Sequence, residues 1–518
     1  MQKALEQTIK ALEREAKVES NLYESRIRVN ESLSKATFYY EKLRQVLEYQ
    51  DEHLFLKNAV KRILKRHKLL RDTQLAKALL HELVWAHYFK NDTIPTSYIE
   101  DVDQIIRKYD FIRSHIRSKQ PAAQVSEILL ALMSVEIEQF LSPAPENDKF
   151  YEFIRDVLEK NITLADEVPA SEVIFQIEIS IRRLLFKFDR DLLLAALMRH
   201  LFKFYPDINK QEAEELGTRF DEVTISINQQ IEKSKTSKIF RYIKRNTPPF
   251  VVLWEMLQKN REQSATFLKD GTELESRARA IVSAKNRALF AKVWRATVRG
   301  VFFILLTKVV LAFLIELPYE TKILGQVNYF ALVTNTIFPP ILMIVTSFFV
   351  RIPGRSNTNL LTSMLCDAVF EGELKTVKLT TLKTKKRSGY IAFNAVTTVL
   401  ALAIVALVAW GLFALKFNAV SIILFFVFVS LVSFIAFRIR ATARELEVRS
   451  TEDSVFSGVF SFVLLPFIII GKSLSDKWSQ YNFTLFFWDF IVEAPFKTII
   501  GVFESWLSFV REKGEDFE

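Results

Sequence analysis

The sequence contains one cysteine, Cys366, and therefore cannot form a disulfide within a single chain. A chain without disulfides fits a reducing compartment. Glycine is also scarce in the first 295 residues, where only Gly217 and Gly271 occur. Tight turns between strands need positive φ angles and so favour glycine. The shortage of glycine argues against a sheet-rich first half.

Enzyme motifs are missing as well. His81 and Glu82 begin like a zinc-protease motif, but the next histidine is His87, six residues on instead of the four that one helical face needs. The segment "GKSLS" at 471–475 lacks the earlier glycine of a phosphate-binding loop, because Pro466 occupies that position. Paired carboxylates, a catalytic triad and a dinucleotide motif are not found. We therefore expect a non-enzymatic protein without catalytic residues, cofactor or metal site.

Proline and apolar spacing predict helices throughout the first half. Prolines such as Pro121 and Pro206 separate segments in which apolar residues recur at helical spacing, as in "QVSEILLALMSVEIEQFL" at 124–141. We predict an all-α protein in which a cytosolic helical domain, 24–250, is followed by a polytopic α-helical membrane domain.

Two pairs of similar segments indicate an internal duplication. The segment "YEKLRQVLE" at 40–48 matches "YEFIRDVLE" at 151–159 in six of nine positions. Further along, "RDTQLAKALLH" at 71–81 matches "RDLLLAALMRH" at 190–200 in five of eleven positions. Because the matches occur in the same order, we predict two tandem related units, 24–140 and 145–250. Stacked helical units of this kind expose broad faces for binding.

Residues 1–23 form a predicted N-terminal helix that lacks the apolar core of a secretory signal. Apolar positions along it suggest a short coiled-coil seam, through which the chain would form a homo-oligomer. A helical connector, 251–295, is predicted between the cytosolic units and the membrane domain. The proposed seam consists of Leu5, Ile9, Leu12, Ala16 and Tyr23.

Long apolar runs distinguish residues 296–518, the predicted membrane domain, from the charged first half. A helix crosses a bilayer in about 20 residues, and five segments have that length. A sixth, 482–510, is long enough but carries four charges, so it either spans the bilayer or lies at the interface. The predicted spans are 298–317, 327–350, 389–415, 418–437, 455–472 and 482–510.

Lysine and arginine in the loops predict the orientation of these spans, because both residues favour the cytoplasmic side. They are dense before the first span, between spans two and three and after span four, and sparse in the alternate loops. We predict a multi-pass protein of the plasma (inner) membrane with both termini in the cytoplasm. Between spans two and three, the apolar segment "NLLTSMLCDAVF" (359–370) is predicted to lie on the membrane surface.

A net charge of +10 fits contact with anionic lipid headgroups. In the segment "KNAVKRILKRHKLLRD" (57–72), lysines recur at helical spacing opposite apolar residues. Such a face either grips lipid phosphates or is the solvated side of a packed helix. Nucleic acid is disfavoured as a partner because aromatic and basic residues do not interleave. The candidate lipid-facing residues are Lys57, Lys61, Lys65, Lys68, Lys383, Lys385, Lys386 and Arg387.

Charged and polar residues within the predicted spans form the candidate site. Lys308 lies near the middle of the first span, where an ammonium costs roughly 2.5–3.5 kcal/mol on insertion scales. We predict that Lys308 pairs with Asp489 or Glu493 of the sixth segment, and that Glu316, about 12 Å along the same helix, is the weaker partner. The predicted intramembrane network is Lys308, Asn335, Asp489, Glu493, Lys497 and Glu504.

Pro339 and Pro340 predict a break in the second span, since proline interrupts helical hydrogen bonds. Broken helices and buried charges are common in transporters but also occur in structural bundles. Two functions therefore stay open. The first is a non-enzymatic membrane-anchored scaffold or adaptor whose cytosolic units bind a protein partner. The alternative is a channel or transporter that uses Lys308 and the polar stripe of 482–510 and is regulated by the cytosolic domain.

Overall fold

Helices make up most of the described chain, which confirms the predicted all-α class. Strand structure in the described residues is limited to two dipeptides, Ile162–Thr163 and Thr380–Thr381. Contacts divide the chain into two units, with the boundary between Lys244 and Arg245. The structure is a computed structural model that describes residues 3–15, 25–29, 41–42, 54–69, 74–160, 162–163, 170–202, 210–234, 237–374, 380–381, 387–448 and 455–480.

The first unit is built from helices that surround one apolar core. Helix α5 is buried along most of its length, because it packs against α2, α4 and α8. Its sequence, "AAQVSEILLALMSVEIEQFL", is accordingly apolar on nearly all sides. The helices are α1 (Lys3–Glu15), α2 (Phe55–Leu69), α3 (Leu75–Trp85), α4 (Tyr98–His115), α5 (Ala122–Leu141), α6 (Pro145–Glu159), α7 (Ala170–Leu185), α8 (Arg190–Leu201), α9 (Lys210–Ser234) and α10 (Lys238–Asn246), which contains the boundary.

Helix α1 packs inside its own chain instead of forming a coiled coil. Leu5, Ile9 and Leu12, the residues of the proposed seam that the structure describes, are buried, and α1 packs against α6. The expectation of a self-association seam is therefore wrong for this helix, because an apolar stripe in α6 covers the stripe that the seam would need. Ala16 and Tyr23 lie outside the described residues.

A close crossing joins helices α4 and α9. The backbone carbonyl of His115 would lie 2.2 Å from a Cβ atom added at Gly217, so only glycine permits this approach. The Arg117 amide also donates a hydrogen bond to the Gly217 carbonyl at 3.3 Å. One of the two glycines of the first half thus serves helix packing and not a turn.

The second unit contains five helices that are long and apolar enough to cross a membrane. They correspond to the first five predicted spans, whereas the sixth, 482–510, lies outside the described residues. The predicted connector, 251–295, is helical and belongs to this unit. Its helices are α11 (Pro248–Lys259), α12 (Ser264–Phe267), α13 (Gly271–Leu324), α14 (Tyr329–Phe348), α15 (Arg355–Cys366), α16 (Arg387–Ala414), α17 (Ala419–Ala443) and α18 (Val455–Gln480).

Side-chain caps fix where several of these helices begin. The Asp270 carboxylate accepts from the Thr272 amide at 2.9 Å, at the start of α13. Asn328 and Asn418 cap α14 and α17 in the same way, by accepting from the third amide beyond each. A cap of this type contributes about 1 kcal/mol to the stability of the helix or protein.

Helix α15 packs against protein and not on a membrane surface. Its apolar residues Leu361, Met364 and Leu365 are buried, and the helix packs against α11 and α13. The prediction that "NLLTSMLCDAVF" lies on the membrane is therefore wrong, since α11 and α13 already cover its apolar side. Asn357 ties this segment to the end of α17, donating to the Leu446 carbonyl at 2.8 Å and accepting from the Val448 amide at 2.9 Å.

Candidate functional site

Lys308 and Glu316 form a buried ion pair within helix α13. The Lys308 Nζ lies 2.7 Å from the Glu316 Oε1, and both side chains are 0% exposed. The ammonium also lies 4.9 Å from the centre of the Phe428 ring, within the range of a cation–π contact. A charge buried in an apolar bundle is costly unless it is paired and hydrogen-bonded. The pair therefore offsets part of the cost of burying either charge alone.

A change of helical winding brings Glu316 to Lys308. In a regular α-helix, two residues separated by eight positions are about 80° apart around the axis. The segment Ala312–Glu316 is a π-helix. Because the π-helix closes its hydrogen bonds over five residues, it winds less per residue and turns Glu316 towards the Lys308 side. Pro318 lies two residues after Glu316, and its lack of an amide hydrogen fits a departure from α-helical bonding.

The expected separation of about 12 Å between Lys308 and Glu316 is therefore wrong, since the two side chains meet at 2.7 Å. That expectation assumed an unbroken α-helix from Lys308 to Glu316, whereas the structure has the π turn between them. Pairing of Lys308 with the sixth segment is not tested, because the acidic stripe falls outside the described residues. The network members that lie outside them are Asp489, Glu493, Lys497 and Glu504.

Asn335 connects this pair to two further helices. Its Nδ2 donates to the Glu316 Oε1 at 2.8 Å and to the backbone carbonyl of Ser421 at 3.2 Å. Asn335 is 0% exposed, as are the lysine and glutamate. The prediction that Asn335 belongs to a polar network with Lys308 agrees with these contacts. The amide thereby joins α13, α14 and α17 in the interior of the unit.

Three oxygen atoms of this cluster keep unused hydrogen-bonding capacity. The Glu316 Oε2, the Asn335 Oδ1 and the Ser421 Oγ are buried and have no hydrogen-bond partner among the described residues. Buried polar atoms in proteins usually have partners, and leaving one without costs about 1–3 kcal/mol. These oxygens belong to the three residues that the Asn335 amide group already joins.

Helix α14 continues through Pro339 and Pro340 without a break. The predicted helix break is therefore wrong as an interruption of the helix. Proline still lacks an amide hydrogen, so Pro339 cannot donate to the carbonyl four residues earlier, which is that of Asn335. Both prolines are buried within the unit, where neighbouring helices support the helical path.

Glu320 is the centre of a second group of polar contacts, which was not predicted from the sequence. Its Oε1 accepts from the Asn418 side chain at 2.6 Å, and its Oε2 accepts from the Asn328 amide at 2.9 Å. Glu320 is 1% exposed. Since Asn328 and Asn418 also cap α14 and α17, Glu320 fixes the end of α13 to the starts of both helices. The sequence feature that could have indicated these contacts is the asparagine that precedes each apolar helix, Asn328 before α14 and Asn418 before α17.

The basic face of α2 is turned into the first unit at Lys57 and Lys61. Lys57 is 1% exposed and contacts Asp189 and Asp191 at the start of α8. Lys61 lies 2.8 Å from Asp191 and 2.9 Å from Glu127. The lipid-facing prediction is wrong for these two lysines, because carboxylates distant in sequence neutralise them.

The electrostatics agree with that pairing. Burial alone would lower the pKa of Lys61, but Asp191 and Glu127 hold the Lys61 pKa above its ordinary value. Burial alone would raise the pKa of Asp191, but Lys61 and Lys57 hold the Asp191 pKa below its ordinary value. Both groups thus stay charged within the pair.

The remaining candidate lipid-facing residues divide into three groups. Lys65 and Lys68 are exposed, with side chains 61% and 48% accessible, and lie 3.6 Å from Glu127 and 3.3 Å from Asp110. Arg387 is the first residue of α16, and its side chain lies outside the described part of the structure. The residues outside the described part of the chain are Lys383, Lys385 and Lys386.

Glu138 of α5 is a further titratable group in the first unit. Burial raises the pKa of its carboxyl group to about 7, against the opposing attraction of Lys57 and Arg199. The side chain therefore changes charge near neutral pH. It was not a candidate from sequence, since a glutamate on a buried helix carries no pattern of its own.

Groups that could hold a metal ion, with three or more His, Cys, Asp or Glu side chains, do not occur among the described residues. No protein-family model, no curated protein and no solved structure matches the chain. A function is therefore inferred from the geometry of the described residues alone.

Proposed function

We propose that the protein is a non-enzymatic membrane-anchored scaffold whose first unit binds a cytosolic protein. The observation that carries this proposal is the Lys308–Glu316 pair, in which both charged side chains are 0% exposed. A path for ions or polar solutes needs contact with water, whereas this pair is sealed between helices and joined by Asn335 to α17. Such an arrangement suits a rigid anchor.

The first unit supports the proposal because it has an apolar core of its own. We further propose that it consists of two tandem related units, 24–140 and 145–250. In the first, α3 packs against its neighbours α2 and α4; in the second, α8 packs against α7 and α9. The similar segments at 71–81 and 190–200 overlap α3 and α8 respectively. Repeated helical units are a common basis for protein binding.

The proposed location is the plasma (inner) membrane, with six spans and both termini in the cytoplasm. The support is the alternation of lysine-rich and arginine-rich loops with loops that are poor in these residues. Anionic lipid would then contact the basic loops. Reporter fusions near Thr321 and at Glu518 test the orientation, and an external reporter signal at Glu518 would remove the sixth span.

Partner binding is tested with residues 1–250 as bait, after circular dichroism has established that the fragment is helical. The matched control is Leu79→Asp, which places a charge at a position that is 0% exposed and so disrupts the core. We expect one cytosolic protein to co-purify stoichiometrically with the native fragment and not with the control. Capture of the same proteins by both baits, in the same amounts, would contradict a scaffold.

A channel or transporter is the second candidate. It is favoured by one observation, the unused capacity of the Glu316 Oε2, the Asn335 Oδ1 and the Ser421 Oγ within the cluster. Oxygens of this kind bind protons or small hard cations in membrane transporters. Flux through proteoliposomes tests this candidate: ion flux that Glu316→Gln abolishes would favour transport, and wild-type flux equal to that of empty liposomes would exclude it for the ions assayed.

A further inference from the structure

The first unit contains a cavity of about 410 Å³ between helices α2, α4 and α5. We propose that this cavity binds a small amphipathic anion, with one phosphate or carboxylate group and a short apolar group. The proposal goes beyond the scaffold function and does not rest on it. Its basis is the combination of an apolar floor, a rim with excess positive charge and a volume in the range of ligand sites.

The floor of the cavity is apolar. Leu129, Leu130 and Met133 contribute to it from α5, and Tyr109 contributes from α4. Small-molecule sites are typically concave, mostly apolar, and supplied with a few polar groups that fix the orientation of the ligand. An apolar group on this floor would exchange water for contact with carbon and sulfur atoms, which is favourable per unit of area buried.

The rim of the cavity carries three cations and two carboxylates. Lys65 lies 3.6 Å from Glu127, and Lys68 lies 3.3 Å from Asp110. Side chains in both pairs are about half exposed or more, so each pair contributes little to stability. A bound anion could therefore replace the carboxylate of either pair. Glu127 is also held more closely by Lys61, at 2.9 Å. Neither lysine of the rim is therefore fully neutralised.

Arg113 is the third cation of the rim. Its guanidinium forms no ion pair or hydrogen bond within the part of the chain that the structure describes. A guanidinium presents its donors in a planar fork that matches a phosphate or carboxylate group. The rim thus has a net formal charge of +1 and one cationic group that is free to bind an anion. Charge complementarity selects an anion over a neutral or cationic ligand.

The volume of the cavity fits a small ligand. At about 410 Å³ it lies in the range of small-molecule sites, which is roughly 300–1,000 Å³. A phosphate or carboxylate with an alkyl chain of about eight carbons is a ligand of this class. Such a group could come from a free amphiphile or from a lipid of the bilayer, which share the same chemistry.

The probe is octyl phosphate, measured by equilibrium dialysis against the full chain in nanodiscs of zwitterionic lipid, with binding to empty nanodiscs subtracted. We expect saturable binding of one molecule per chain. Inorganic phosphate lacks the apolar group, and octanol lacks the anionic group. Each should bind at least tenfold more weakly than octyl phosphate. Absence of saturable binding above empty nanodiscs would overturn the proposal.

Two variants and one control test the location. Arg113→Gln should weaken binding of octyl phosphate about tenfold, and Ser126→Phe should abolish it by filling the cavity from a partly exposed position. The control is Arg107→Gln, on the same helix as Arg113, with a side chain that is 80% exposed and does not line the cavity. If all three variants bound octyl phosphate with the affinity of wild type, the proposal would be overturned.

A last arm distinguishes the two sources of the anion. Part of the zwitterionic lipid is replaced by phosphatidylglycerol, and the affinity for octyl phosphate is measured again. A loss of apparent affinity that is greater for wild type than for Arg113→Gln supports the proposal with a bilayer lipid as the occupant. Unchanged affinity supports the proposal with a free amphiphile as the occupant.

Discussion

Lys308 and Glu316 are separated by eight positions along one helix, yet their side chains meet at 2.7 Å. The contact exists because a π-helical segment, Ala312–Glu316, lies between them. A lysine that looked like an isolated charge in an apolar run is therefore neutralised within its own helix. On neighbouring helices, the Phe428 ring contacts the Lys308 ammonium, and the Asn335 side chain donates to the Glu316 carboxylate.

Replacement of Lys308 by methionine should destabilise the second unit strongly. Lys308→Met leaves the Glu316 carboxylate buried and without its counter-ion, and breaking a buried pair costs about 3–5 kcal/mol. Adding Glu316→Gln should recover a large part of that loss, as a double-mutant cycle of unfolding in detergent would measure. Strictly additive effects would show that the two side chains do not interact. Lys322→Met, on an exposed part of the same helix, is the control and should have little effect.

Removal of the Asn335 amide should weaken the link between three helices. Asn335→Leu deletes the hydrogen bonds to Glu316 and to the Ser421 carbonyl, and we expect a loss of about 1–3 kcal/mol in unfolding free energy. The matched control is Thr336→Val. Among the described residues, the Thr336 hydroxyl bonds to the Leu332 carbonyl of its own helix and to no other helix, so the control should change stability by less. Equal losses in the two variants would argue against a special role for Asn335.

Gly471 permits the close crossing of α17 and α18. A Cβ atom added there would lie 2.2 Å from the Ser430 carbonyl oxygen and 2.8 Å from the Phe434 Cβ. Gly471→Ala should therefore force the helices apart and destabilise the unit by about 1–3 kcal/mol, despite the better helix propensity of alanine. Gly458→Ala, on the same helix but with open space around it, should be neutral or slightly stabilising. The thermal unfolding midpoints of the two variants check this difference.

Glu138 should make the stability of the first unit depend on pH near neutrality. The carboxyl ionises near 4.5 when unfolded and near 7 when folded, so the folded state holds a proton that the unfolded state has lost between these values. The stabilising contribution is complete below pH 4.5 and is lost as the pH rises through about 7. Above that pH the folded unit contains an ionised carboxylate that is partly buried.

Glu138→Gln should remove this dependence. At pH 4.5 we expect the variant to unfold at the same temperature as wild type. At pH 8 it should unfold at a higher temperature, because its free energy of unfolding is greater by up to about 3 kcal/mol. Glu214→Gln, at an exposed position of α9, serves as the control. A gain that is the same at both pH values would contradict the shifted pKa of Glu138.

Features that depend on local sequence could be predicted. The five apolar helices follow from the length of their apolar runs, and Asn335 was placed with Lys308 because each is polar within such a run. The partners were harder to predict. The contact between Lys308 and Glu316 was not predicted, because a π-helix changes the angle between two residues and neither Lys308 nor Glu316 encodes that change.

Tertiary contacts account for the other errors. The lysines of α2 resemble a lipid-facing stripe in the sequence, but Lys57 and Lys61 meet Asp189 and Asp191, which lie about 130 residues further along the chain. The apolar stripes of α1 and α15 were likewise covered by other helices of the same chain. A helical pattern shows that a face is apolar or basic, but it carries no information about which surface covers that face.

Replacing the membrane anchor provides the most direct test of the scaffold function. Residues 1–250 are fused to one unrelated membrane span, and the proteins close to this fusion are compared with those close to the full chain by proximity labelling in cells. A scaffold predicts that the fusion recruits the same cytosolic partner in the same amount, since the apolar helices serve only to hold the first unit at the membrane. Loss of that partner from the fusion, while its helical content is unchanged, would contradict this account and assign the function to the buried cluster around Lys308.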